Sequence, residues 1–376
     1  METLGDRHPH TLSSINNMGL LLQAMGQLEE ARLLLEEALQ AKRETLGDRH
    51  PQTLISIDNM GGLLKDMGQL EEARPLVEEA LQAFRETLGD RHLSTLTSIS
   101  NMGGLLQAMG KLEEARPLYE EALQATRETL GGRHPSTLIS MNNMGTLLQD
   151  MGKLEEARLL LEEALQAQRE MLGDHHPNTL ASINNMGALL QDMGKLEQAR
   201  LLFKEALQGS KETLGDRHPN TLVSIKNLGD LLEKQGMLAE AISLFRGEIE
   251  GMMYQETRDS AKYLALLGYT GRLLQKNGQL VEARALHEED LQASRETLGD
   301  RHPSTLVSIN YLALLLETQD MVAEAIVLFT ERLEGLVSLH GMTFQKTRGA
   351  AKRLLNLLRK SGHHDEAKAL AAKHGV

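Results

Sequence analysis

Residues 134–175 read HPSTLISMNNMGTLLQDMGKLEEARLLLEEALQAQREMLGDH, and this stretch decides the fold. Pro135 stands where a helix can begin without loss, because the amide hydrogen it lacks has no intrahelical partner in the first turn. Leu138, Met141, Met144, Leu147, Leu148 and Met151 follow at intervals of three or four, the spacing of one helix face. Gly152 falls at the position just past a helix end that favours glycine. A second helix starts at Lys153. Its apolar stripe is Leu154, Ala157, Leu160, Leu161, Ala164, Leu165 and Leu172, and Gly173 stops it. The stretch predicts two antiparallel helices joined by a very short turn.

The same stretch recurs along the chain. LGDRHP occupies 4–9, 46–51, 214–219 and 298–303, with variants at 88–93, 130–135 and 172–177. The histidines stand at 8, 50, 92, 134, 176, 218 and 302, a spacing of 42 with one gap of 84. Ser260 and Phe344 occupy the missing steps, yet Gly278 and Gly362 keep the register, as do Ala283 and Ala367. Nine units result. Alanine fills one slot of every second helix: 31, 73, 115, 157, 199, 241, 283, 325 and 367. Glycine fills one slot of the first helix from Gly19 to Gly271 in seven units, followed by Ala313 and Leu355. A glycine in mid-helix costs about 0.5–1 kcal/mol relative to alanine. Close approach of two helix axes would offset that cost.

Composition narrows the function classes. The chain has 376 residues, 40 of them Lys or Arg and 53 Asp or Glu, for a net charge of −13. So acidic a chain is a poor partner for nucleic acid or an anionic membrane. It has no Cys, which removes disulfides and thiolate chemistry and fits a reducing compartment. The start, METLGDRHP, is no signal peptide, and no apolar run reaches membrane-spanning length. A cytoplasmic protein is expected.

The pattern resembles the tetratricopeptide repeat. That family's slots for large, Leu, Gly, aromatic, Ala, aromatic and Ala read Ile15, Met18, Gly19, Leu22, Ala31, Leu35 and Ala38 in the first unit, with aliphatic residues at the aromatic slots. The 42-residue period and the G-x-x-HP turn resemble the kinesin light chain subfamily. The resemblance implies an all-α fold, a right-handed α-solenoid of about nine helix pairs, with first helices lining its concave face. The expected organisation is a single array over 1–376. Its units are regular to about 250, and more divergent units and a C-terminal cap follow over 251–376. From the sixth unit the second Ala slot carries Glu248, Asp290, Arg332 and His374. The sequence shows no heptad coiled coil, so kinesin heavy chain is not an expected partner.

Catalytic candidates fail one by one. The repeat histidines sit at equal places in different units, about a helix width apart, too far to share an ion at metal–nitrogen distances of about 2.1 Å. They are expected to start helices. Gly145 to Lys153 has the wrong spacing for a phosphate loop, and Leu154 stands where Ser or Thr is required. Two methionine columns, at 18, 60, 102, 144 and 186 and at 25, 67, 109, 151 and 193, are expected to fill the core. No catalytic residues, metal or other cofactor are expected.

Two features point to a partner. Asn17, Asn59, Asn101, Asn143, Asn185 and Asn227 occupy one first-helix slot in six successive units. An amide carries a donor and an acceptor, so such a column can hold a peptide backbone of any sequence. Hydrogen bonding between helices within the stack, or recent copying of one repeat with no function attached, would explain it equally. Charge on neighbouring slots also changes along the chain. Early units carry Asp58, Asp66, Asp150 and Asp192; later ones carry Lys226, Lys234, Arg272 and Lys276, diluted by Asp230 and Glu233. The expected function is a non-catalytic adaptor that binds an extended, acidic segment of a protein partner. The alternative is a regulatory or sensor array belonging to a larger signalling ATPase-type protein.

Overall fold

The structure is a computed structural model that describes residues 7–24, 26–216, 218–253, 261–342 and 345–375. Ser260, Phe344, Met25 and the start of the first LGDRHP phrase lie outside the described residues. The first helices of the nine pairs are α1 (Pro9–Ala24), α3 (Pro51–Asp66), α5 (Leu93–Ala108), α7 (Pro135–Asp150), α9 (Pro177–Asp192), α11 (Pro219–Lys234), α13 (Ala261–Lys276), α15 (Pro303–Thr318) and α17 (Gln345–Lys360). The second helices are α2 (Leu28–Leu46), α4 (Leu70–Leu88), α6 (Leu112–Leu130), α8 (Leu154–Leu172), α10 (Leu196–Leu214), α12 (Leu238–Met253), α14 (Leu280–Leu298), α16 (Val322–His340) and α18 (His364–His374). Strands are absent among the described residues.

Each residue of the LGDRHP phrase has a local task. Gly173 closes α8 at φ 86° and ψ 166°, a backbone region reserved in practice for glycine, and its N–H donates to the Arg169 carbonyl at 3.1 Å. His134 caps α7: its Nδ1 accepts the Ser136 N–H at 3.2 Å. His50, His92, His176 and His302 cap α3, α5, α9 and α15 in the same way. The acceptor role requires a neutral Nδ1, so the ring proton sits on Nε2. Thr137 donates its hydroxyl to the Gly131 carbonyl at 2.8 Å, which fastens the turn to the next helix. The phrase's arginines reach the following unit, Arg49 to Glu86, Arg91 to Glu128 and Arg133 to Glu170. His134→Ala should therefore cost about 1 kcal/mol, the usual worth of a helix cap, while His134→Asn should retain most of it. Chemical denaturation of the two variants checks this.

The glycine slot is where first and second helix of a pair meet. A Cβ placed on Gly145 would lie 2.6 Å from Leu161 Cδ2. The same slot brings Gly61 against Val77, Gly103 against Tyr119, Gly187 against Phe203 and Gly229 against Phe245. Each glycine is thus the space into which one large side chain of the partner helix fits. The second aromatic slot, aliphatic at Leu35, is in fact aromatic at Tyr119, Phe203, Phe245 and Phe329. A flat ring and a branched chain both fill the hollow over a glycine, so the slot tolerates either. Ala115, Ala157 and Ala199 are fully buried beneath it. Met60, Met102, Met144 and Met186 are buried, whereas Met18 is half exposed.

The chain forms two compact units, residues 1–227 and 228–376, with the division inside α11. In the first unit successive first helices touch, α1 with α3, α3 with α5, α5 with α7 and α7 with α9, so their outer slots form one face. In the second unit a core gathers Leu306, Ile309, Phe329, Leu333, Leu354 and Leu358 from α15 to α17, and Ala367 of α18 covers its end. Among the described residues no helix is long and apolar enough to cross a membrane.

Candidate functional site

The asparagine column lies on the first-helix face of the first unit. Asn17 and Asn101 are exposed; Asn59, Asn143, Asn185 and Asn227 are half-buried. Three of them bond backward to the preceding helix pair. Asn59 Nδ2 donates to Asn16 Oδ1 at 3.4 Å, Asn101 Nδ2 to Asp58 Oδ2 at 2.7 Å, and Asn227 Nδ2 to Asn184 Oδ1 at 3.4 Å. Each bond uses one of the amide's two N–H groups and leaves its carbonyl oxygen.

The acceptors form a second polar column, one residue earlier and deeper. Asn16, Asp58 and Asn184 are buried, as is Asn142 at the same slot, whose Nδ2 donates to the Leu138 carbonyl at 2.9 Å. Serines of the following helix pair bond to them as well: Ser56 Oγ to Asn16 Oδ1 at 3.0 Å, and Ser98 Oγ to Asp58 Oδ1 at 3.3 Å. Asn184 Nδ2 in turn donates to Ser224 Oγ at 2.9 Å. Lys42, also buried, donates to Ser56 Oγ at 2.8 Å, and burial lowers its pKa. Burial raises the Asp58 carboxyl to about 6, against the pull of its two donors, Asn101 and Ser98. The column has a signal in the sequence. Position 16 falls four residues after Leu12 and three before Gly19, so a polar residue there lies on the apolar stripe and must find a partner inside.

Beside these columns is a groove of about 200 Å³, lined by Gln23, Asp58, Asn59, Gly61, Gly62, Lys65 and Asn101 among others. A Cβ on Gly62 would meet nothing within 4 Å, so the backbone of α3 lies open to the groove.

The basic residues are placed differently from the asparagines. Lys226 belongs to the first unit and is exposed. In the second unit Arg272 Nη2 pairs with Glu233 Oε2 at 2.9 Å and lies 3.9 Å from Asp230, and Lys276 pairs with the same Glu233. Lys234 is exposed. Arg272 and Lys276 thus already have carboxylate partners on α11. Among the described residues no group of three His, Cys, Asp or Glu is arranged to hold a metal ion.

Residues 10–86, 53–103, 94–170, 142–212, 178–247 and 263–336 match the model of the tetratricopeptide repeat. The chain belongs to the tetratricopeptide repeat family. Several solved structures are similar to the chain. Nearly identical TPR-like repeats of a kinesin light chain-type protein from Podosopora anserina are 30% identical, over 55% of this chain and 98% of that one, with a TM-score of 0.44. BtubC (BKLC) from P. vanneervenii is 19% identical over 61% and 89%, TM-score 0.46. Aspartyl phosphate phosphatase F from Bacillus subtilis is 14% identical over 100% and 95%, TM-score 0.50. No curated protein matches the chain. Tetratricopeptide repeats are protein-interaction scaffolds, and no enzymatic family is indicated for this tetratricopeptide chain.

Proposed function

We propose that the chain is a non-catalytic adaptor that holds an extended segment of a partner protein along its first-helix face. The observation that carries this reading is the groove over Gly62, where open backbone lies beside two amides of the asparagine column. Asn59 and Asn101 are fixed by their backward bonds and retain hydrogen-bonding atoms for a ligand backbone. An amide held in place loses little side-chain freedom on binding. In the second unit Lys234, Arg272 and Lys276 outnumber Asp230 and Glu233 and favour acidic residues in the segment. Ligand carboxylates there compete with Glu233 for Arg272 and Lys276, so this contribution is modest.

The test is a random linear peptide library selected against the intact chain. Recovered peptides should lose about tenfold in affinity to the double variant Asn59→Ala, Asn101→Ala, the equivalent of one or two backbone hydrogen bonds. Acidic peptides should weaken in the set Lys226→Glu, Lys234→Glu, Arg272→Glu and Lys276→Glu, and with rising salt. Peptides indifferent to both sets of changes would place the binding surface elsewhere and overturn the reading.

A further inference from the structure

The repeat supplies its own control for what is unusual in the second unit. Gly268 occupies the slot of the buried column that holds Asn16, Asp58, Asn142 and Asn184. Tyr269 and Tyr311 occupy the slot of the asparagine column. Asp290 replaces the small residue that is Ala38, Ala80, Ala122, Ala164 and Ala206 in the first five units. These four departures are 43 residues apart at most, and in space they converge. Together with Ser294 and Ser308 they line a cavity of about 230 Å³ among α13, α14 and α15.

The cavity has a polar end and apolar walls. Asp290 is only 3% exposed, and Ser294 Oγ donates to its Oδ1 at 3.4 Å. Gly268 opens the approach to the other oxygen, since a Cβ there would sit 3.4 Å from Asp290 Oδ2. Leu264 and Val307 contribute the apolar surface. No basic group among the described residues pairs with Asp290. Arg272 lies over the Tyr269 ring at 5.7 Å but is held by Glu233 and Asp230. His287, one turn before Asp290, stacks on Tyr311 at 5.8 Å, and burial lowers its pKa to about 4, so it is neutral and supplies no charge. Burial raises the Asp290 carboxyl to about 6, which still leaves it largely ionised at neutral pH. A buried anion without a cation is unfavourable, and the alanine of the earlier units would avoid it.

We propose that this cavity is a socket for a basic side chain, ammonium or guanidinium, of a bound protein segment. The inference rests on the segment-binding reading above and names one anchor residue of the segment. The carboxylate and the serine hydroxyls take the charged head, and Leu264 and Val307 cover its methylene stem. Tyr269 and Tyr311 add aromatic surface that attracts cations, as the position of Arg272 over Tyr269 illustrates.

The probes are Nα-acetyl-arginine methylamide and Nα-acetyl-lysine methylamide, with the norleucine analogue as the uncharged control, titrated into the full chain and followed by NMR. At least one basic probe should saturate and bind at least about tenfold better than the control. Asp290→Asn, which keeps shape and hydrogen bonding, and Gly268→Asn, which fills the cavity with the residue of earlier units, should each remove that preference. Both variants should stay helical by circular dichroism. Equal binding of norleucine, no saturation by either basic probe, or an unchanged preference in folded Asp290→Asn overturns the socket. Failure of the basic probes while selected peptides still lose affinity in Asn59→Ala, Asn101→Ala overturns the socket and leaves the asparagine face intact.

Discussion

Gly145→Leu is expected to destabilise the protein by about 3 kcal/mol or more, the upper range for forcing bulk into a packed contact. A single Cβ would already stand 2.6 Å from Leu161 Cδ2 and 2.7 Å from its Cγ. A leucine adds three further carbons in the same direction, and both helix backbones must separate to admit them. The gain in helix propensity on losing a glycine, about 1 kcal/mol, is smaller than this strain. Unit nine shows how the chain itself accommodates a leucine at the slot. There Leu355 replaces the glycine, and Ala371 stands where Leu161 and Phe203 stand in their units. Leu161→Ala alone should cost about 2–5 kcal/mol by leaving a cavity. Combined with Gly145→Leu it should cost less than the sum of the two by at least about 1 kcal/mol, because each change fills or vacates the space the other needs. Urea denaturation of the four proteins closes the cycle, and strict additivity would show that the two side chains do not share one space. Ala157→Arg, which puts a charge into a fully buried site, should be as damaging as Gly145→Leu and should have no such rescue.

Asp58→Asn is expected to raise stability at pH 8, by an amount on the order of 3 kcal/mol if the full shift is expressed. Burial raises Asp58 from 3.8 to about 6 in the folded chain. Above pH 6 the folded protein therefore carries an unfavourable buried carboxylate. As pH falls through 6 toward 4 the folded state takes up a proton that the unfolded state does not yet bind, so this group stabilises folding on acidification. Asparagine has no such dependence, and it can still accept from Asn101 as Asn16 accepts from Asn59. The advantage of the variant should thus be full near pH 8 and vanish by about pH 4. A constant difference across that window would show that Asp58 stays accessible to water.

Helix number, helix ends and the slots of close approach were legible from residues 134–175 and their copies. Gly152, Gly173 and Pro135 mark ends through local backbone chemistry, and His134 does so through a bond to an amide two residues away. Each of these depends on neighbours within about four residues. The meeting of Gly145 with Leu161 was also within reach, since the two are one helix hairpin apart and a mid-helix glycine signals a crowded contact.

The asparagine column was visible as a column, but its immediate partners were not. Asn101 meets Asp58 and Asn59 meets Asn16 across 43 residues, a separation set by how one helix pair stacks on the next. The same holds for Lys276 and Glu233, whose pairing turns an apparently free cation into a partly neutralised one. Asp290 read only as a lapse from the repeat's alanine slot until packing brought it together with Gly268 and Tyr311 around one cavity. What the sequence by itself determined is the repeated helix pair, because periodicity, caps and turn glycines act through short-range sterics and hydrogen bonds. What only the tertiary structure decided is which polar groups satisfy one another and which remain turned toward a ligand. Burial and pairing depend on side chains from adjoining units, and their alignment is set by the packing between helix pairs.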